Sequence, residues 1–158
     1  MTKTAKTSPI PENYHSLTPY LIVKGAAQAL EFYKTALGAT ETLRMPGPGG
    51  VVAHAEMRIG DSQLMLADEF PDMGAKGPKT LGGTPVSLLL YVPDVDATAD
   101  RAIKAGMVVR RPVTNQFYGD RSGTFEDPYG HVWTLATHVE DVPGEELRRR
   151  AESHFLKG

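Results

Sequence analysis

From Val51 to Ile59 apolar and polar side chains alternate. Ala53, Ala55, Met57 and Ile59 fall on one face, and Val52, His54, Glu56 and Arg58 on the other, which is the period of a strand with one covered face. Gly60-Asp61 then turns the chain into a second strand over Gln63 to Ala67. Two other stretches have helical spacing instead. Ala26, Ala29, Leu30, Tyr33, Ala36 and Leu37 form an apolar stripe over a helix from Ala26 to Leu37, and Gly38 supplies a left-handed stop. Val95, Ala99, Ala102 and Ile103 form the stripe of a second helix from Val95 to Ala105, with Asp94 as its N-cap and Gly106 as its end.

These patterns recur. Thr18-Pro-Tyr-Leu-Ile-Val23 precedes the first helix, and Val86-Ser-Leu-Leu-Leu-Tyr-Val92 precedes the second. When Val23 is aligned with Val92, the terminal glycines of the two helices come within one residue of register. Ile59 to Leu66 then corresponds to Pro128 to Leu135, where Asp127-Pro-Tyr-Gly130 has type I turn chemistry and leads into a strand over Val132 to His138. Each half reads strand, helix, strands, so the chain is a duplicated α+β domain. The expected division is an N-terminal tail over 1–14, a first module over 15–69, a Gly- and Pro-rich linker over 70–84, a second module over 85–140 and a C-terminal helix over 141–158. In that last helix Glu145 and Glu146 occupy the first turn, Leu147, Ala151 and Phe155 are expected to dock, and Arg148 to Arg150 read as a solvated face.

Composition narrows the function classes. The chain of 158 residues has no cysteine, which removes disulfides, thiolate zinc sites and cysteine nucleophiles and suits a reducing compartment. A formal net charge of −2 gives no electrostatic footprint for nucleic acid or an anionic membrane. Leu88 to Pro93, the longest apolar run, is strand-sized, and Met1 to Pro9 has no leader character, so a cytoplasmic location is expected.

The duplicated unit, the Ala29-Leu-Glu-Phe-Tyr33 segment ahead of Leu37-Gly38, and Tyr118-Gly-Asp-Arg121 with Asp127-Pro-Tyr-Gly-His131 resemble the vicinal oxygen chelate superfamily, in particular its PhnB-like, glyoxalase/bleomycin resistance group. The resemblance spans Ser16 to Val139. It implies two βαβββ modules whose curled mixed sheets surround a cleft with helices outside, a small-molecule ligand and a homodimer. Metalloenzymes of the superfamily hold a divalent ion on the first and last strand of each module. Those positions fall here on Thr18, Met65, Ser87 and Thr134. Hydroxyls are poor ligands for such an ion and a thioether prefers soft copper, so no metal or other cofactor is expected at the inherited site. A one-residue shift substitutes Pro19, Leu64, Leu88 and Trp133, which fit worse.

If helices cover the apolar faces, alternation turns Thr18, Tyr20, His54, Glu56, Gln63 and Met65 toward the cup from the first module. It turns Ser87, Tyr91, Tyr118, Asp120, Thr134 and His138 inward from the second. His54 and Glu56 are the catalytic candidates, as a base with an orienting carboxylate or as chelators joined by His138. A wet polar strand face bridged to Arg58 or Arg121 weighs somewhat more. Asp120 and Arg121 have opposite parity and should not share a face. His131 reads as a turn-flanking surface residue, and Trp133 as packed beneath a helix. Three functions remain open, in this order: a binding protein that kept the cup without its metal; a lyase, isomerase or dioxygenase with a site relocated to His54 and Glu56; and a dimeric interaction protein with an unused cup.

Overall fold

The computed structural model describes residues 5–156, so residues 1–4 of the expected tail and 157–158 of the C-terminal segment lie outside the described residues. The first module comprises β1 (Tyr20–Val23), α1 (Ala26–Leu37), β2 (Thr40–Pro46), β3 (Val52–Ile59) and β4 (Ser62–Asp68). A short α2 (Pro78–Leu81) lies in the connection. The second module comprises β5 (Ser87–Tyr91), α3 (Val95–Ala105), β6 (Val108–Asn115), β7 (Asp120–Glu126) and β8 (Val132–His138), and α4 (Gly144–Leu156) follows it. Two mixed sheets result, ordered β1-β4-β3-β2 and β5-β8-β7-β6. The first strand of each module runs parallel to the last, and the duplication holds in register: Tyr20 faces Met65 as Leu89 faces Thr134.

Local chemistry sets the helix ends. Gly25 offers no side chain to cap α1. The Asp68 carboxylate at the end of β4 does so from across the module, accepting from the N–H groups of Gly25 (2.9 Å) and Ala26 (2.8 Å). Its other oxygen accepts from Val52 N–H at 2.7 Å, tying the start of β3 to the same point. Gly38, at φ 68°, ends the helix in the left-handed region. In α3 the Asp94 side chain accepts from Ala97 N–H at 3.1 Å, as its N-cap position requires.

One core joins the modules. α1 and α3 pack on each other, and Tyr33 of α1 reaches Trp133 of β8 with ring centroids 5.5 Å apart. Buried Asp127 accepts from Tyr33 Oη at 2.5 Å and from Trp133 Nε1 at 2.9 Å, and from the backbone N–H groups of Tyr129 and His131. Burial and this carboxylate both raise the Tyr33 pKa, so the phenol stays a donor. Arg101 of α3 donates to the Ala36 carbonyl at the end of α1. The two sheets are not closed on one another.

Three expectations need correction. Ile103 does not complete the buried stripe of α3: it is 43% exposed, because the α1–α3 contact is built on alanine-sized residues such as Ala99 and Ala102. His131 is not a free surface residue; its Nε2 lies 2.9 Å from the Ile22 carbonyl, bonding the second module to the open edge of β1. In α4 no residue is buried and Phe155 is 71% exposed. Phe155 still packs edge-on against Phe117, with ring centroids 5.9 Å apart, and Leu147 and Ala151 are half-buried. Polar contacts add to this: Arg150 pairs with Glu140, bonds the Phe117 carbonyl, and so leaves the solvated arginine face expected of 148–150.

Candidate functional site

With α1 covering one face of the first sheet, the parity of β3 and β4 leaves His54, Glu56 and Met65 on the other, and β1 adds Tyr20. There the structure builds a row of hydrogen bonds. Tyr20 Oη lies 2.8 Å from His54 Nδ1, His54 Nε2 lies 3.0 Å from Glu56 Oε1, and Tyr14 Oη donates to Glu56 Oε2 at 2.5 Å. A carboxylate only accepts, so neutral His54 carries its proton on Nε2 and takes the Tyr20 hydroxyl proton's bond at Nδ1. The Tyr14 bond, then the His54 bond, hold the Glu56 carboxyl below its ordinary range. Burial, and then Glu56, push the Tyr14 phenol up to about 12. Burial, with the Glu56 charge adding to it, also raises Tyr20. Both phenols therefore remain neutral donors around one anion.

The second sheet carries a separate row. Asp120, buried at the start of β7, accepts from Tyr91 Oη at 2.8 Å and pairs with His138 Nδ1 at 2.8 Å. His138 Nε2 lies 2.7 Å from Asp141. These carboxylates raise the His138 pKa, Asp120 contributing most, and the Asp120 bond raises Tyr91. Arg121 points the other way and pairs with Asp96 of α3, as opposite parity requires.

The structure thus separates residues that the sequence places in one cup. His138 is held by Asp120 and Asp141 and does not join His54 and Glu56, and no group of three or more such ligands gathers to hold a metal ion among the described residues. Of the four positions at which the resemblance implies a metal ion, Thr134 shares a 3.3 Å contact with the Thr124 hydroxyl and Met65 sits beside Glu56 in register. Thr18 contacts the His15 carbonyl, and Ser87 opens β5 in an exposed position. Three hydroxyls and a thioether do not fit a hard divalent ion. Gln63 and Thr18 line a cavity between the modules, and Tyr118 is exposed at the β6–β7 turn, edge-on to Phe117. Neither Tyr14 nor Asp141 is legible as a site residue in the sequence. Both lie outside the periodic segments, where spacing assigns no face.

The family model described as Glyoxalase/Bleomycin resistance protein/Dioxygenase superfamily matches residues 14–135. An uncharacterized protein of Mycobacterium tuberculosis is 43% identical over 141 residues, covering 87% of this chain and 83% of the relative. Among solved structures, protein PA1353 from Pseudomonas aeruginosa is 27% identical with a TM-score of 0.64, the match covering 80% of this chain and 99% of the other. TnmS3, an antibiotic binding protein from Streptomyces sp. CB03234, is 28% identical with a TM-score of 0.60, covering 84% and 99%.

Proposed function

Because the chain belongs to the Glyoxalase/Bleomycin resistance protein/Dioxygenase superfamily, we propose that it binds a small, partly aromatic molecule on the open face of its first sheet without the superfamily's metal ion. The observation that carries this reading is the Tyr20–His54–Glu56–Tyr14 row. It presents one ionised carboxylate and two phenol rings on a face where Leu43 and Met45 of β2 are also exposed. Apolar walls around a few fixed polar groups are what a small-molecule site needs. The likeness to an antibiotic binding protein points the same way. Exposed Leu89 and Tyr91 on the second sheet give a second copy of the chain an apolar face to cover, and we assign the protein a homodimeric state in the cytoplasm.

The test is a thermal-shift screen of glycopeptide and planar aromatic compounds, including amines, on protein stripped with a chelator. At least one compound should raise the melting temperature in a saturable way. Replacing Glu56 by Gln should then weaken that compound about tenfold or more, as loss of a hydrogen bond to a charged group does. A panel with no stabilising member, or a hit indifferent to Glu56→Gln, contradicts the proposal.

A relocated enzyme site is the second reading, and one feature favours it: His54 is oriented by a carboxylate, as a general base should be. The same geometry weakens it. Both ring nitrogens of His54 are engaged, and the raised pKa of Tyr20 makes a tyrosinate base harder to form. Turnover of a bound compound that disappears in His54→Ala would move this reading to first place.

A further inference from the structure

Between the modules lies a cavity of about 220 Å³ that is lined by none of the residues of the Glu56 row. One wall is the segment from His15 to Pro19, another is the turn into β4 with Ser62, Gln63 and Leu64, and the third is Leu88 to Leu90 of β5 with Trp133 behind them. Most of this lining is aliphatic or aromatic. His15, Thr18, Ser62 and Gln63 are the polar members, and among them Gln63 stands apart. It is 9% exposed, and its Oε1 is a buried acceptor with no hydrogen-bond partner. Leaving such an acceptor unpaired is unfavourable, whereas a leucine here would cost nothing of the kind. An apolar cavity of roughly 150 Å³ already holds a benzene ring, so this one has room for a bicyclic molecule.

We propose that this seam is a second binding site, taking a neutral molecule with an apolar bicyclic body and one hydroxyl or N–H group that donates to the Gln63 carbonyl. The body fills the space between Leu64, Leu88 and Trp133, and the donor satisfies the orphaned acceptor. The torsion that carries the Gln63 amide has broad minima, so the carbonyl can swing to meet the donor. The Tyr14 bond to Glu56 anchors the chain next to the His15–Pro19 wall, which places this site beside the row on the first sheet without sharing its polar groups.

The probes are 2-naphthol and 2-methylnaphthalene, which match in shape and differ in the hydroxyl. Trp133 is the single tryptophan, so its indole N–H resonance reports occupancy through the ring current of the naphthyl group. The expected result is saturable shifts with both probes and an affinity about three- to tenfold higher for 2-naphthol, the worth of one hydrogen bond. Gln63→Leu should abolish that preference while 2-methylnaphthalene still binds, and Leu89→Phe should weaken both probes by narrowing the cavity. Glu56→Gln should leave the preference intact, which separates this site from the first-sheet site. If neither probe shifts Trp133, or if Gln63→Leu keeps the hydroxyl preference, the proposal is wrong.

Discussion

Asp127 satisfies two buried side-chain donors, Tyr33 and Trp133, from opposite modules. Asp127→Ala strands both, and the expected loss of about 3 kcal/mol or more is measurable by urea denaturation. At His138 the effect is one of pH. Its pKa is raised, so the stabilisation it gives is complete below the unfolded value near 6.5 and is lost as pH rises through the folded value. Neutral imidazole has a single N–H and cannot donate to Asp120 and Asp141 together. An NMR titration should place the His138 midpoint above the ordinary value, and Asp120→Asn should bring it down. Glu56 has the opposite sign: its contribution holds above the unfolded pKa and fades as pH falls through the lowered one. Tyr14→Phe should raise the Glu56 pKa, visible in its carboxyl carbon resonance. The sequence could place His54 and Glu56 side by side because alternation is a local property. It could not find Tyr14, which lies in a stretch with no period of its own and whose partner stands 42 residues away.

Among the elements, the turn between β6 and β7 is the most sharply constrained. Gly119 sits at φ +100°, and a Cβ there would lie 2.2 Å from the Glu140 carbonyl oxygen. The same glycine carbonyl accepts from Val139 and Glu140, so the turn fastens the strand that leads to α4. Gly119→Ala should cost about 2 kcal/mol or more and loosen α4, which amide exchange of residues 144–156 would report. Strands β1, β3, β4, β5 and β8 and helices α1 and α3 are readable from period and repeat, with glycines as the helix stops, whereas β2 and β6 carry no such signal. Nor is the mode of attachment of α4 readable in full. Its apolar residues have helical spacing and Phe155 does meet Phe117, but Arg150, Glu140 and the Phe117 carbonyl also hold it, and an ion pair leaves no periodic trace.

At the scale of the molecule, the modules share a core through α1, α3, Tyr33 and Trp133, and His131 bonds the edge of β1. Duplicated sequence therefore does not mean independent halves, and unfolding followed by Trp133 fluorescence and by circular dichroism should give one coincident transition. The positions that the resemblance assigns to a metal ion carry three hydroxyls and a thioether, while the carboxylate and imidazole groups stand elsewhere on the faces. The most direct test of metal-free binding is calorimetric titration of the best screening hit into chelator-stripped protein and into the same protein supplied with manganese, iron, nickel or zinc. Equal affinity in every sample is the predicted result. Binding that appears only after a metal is added would contradict the account.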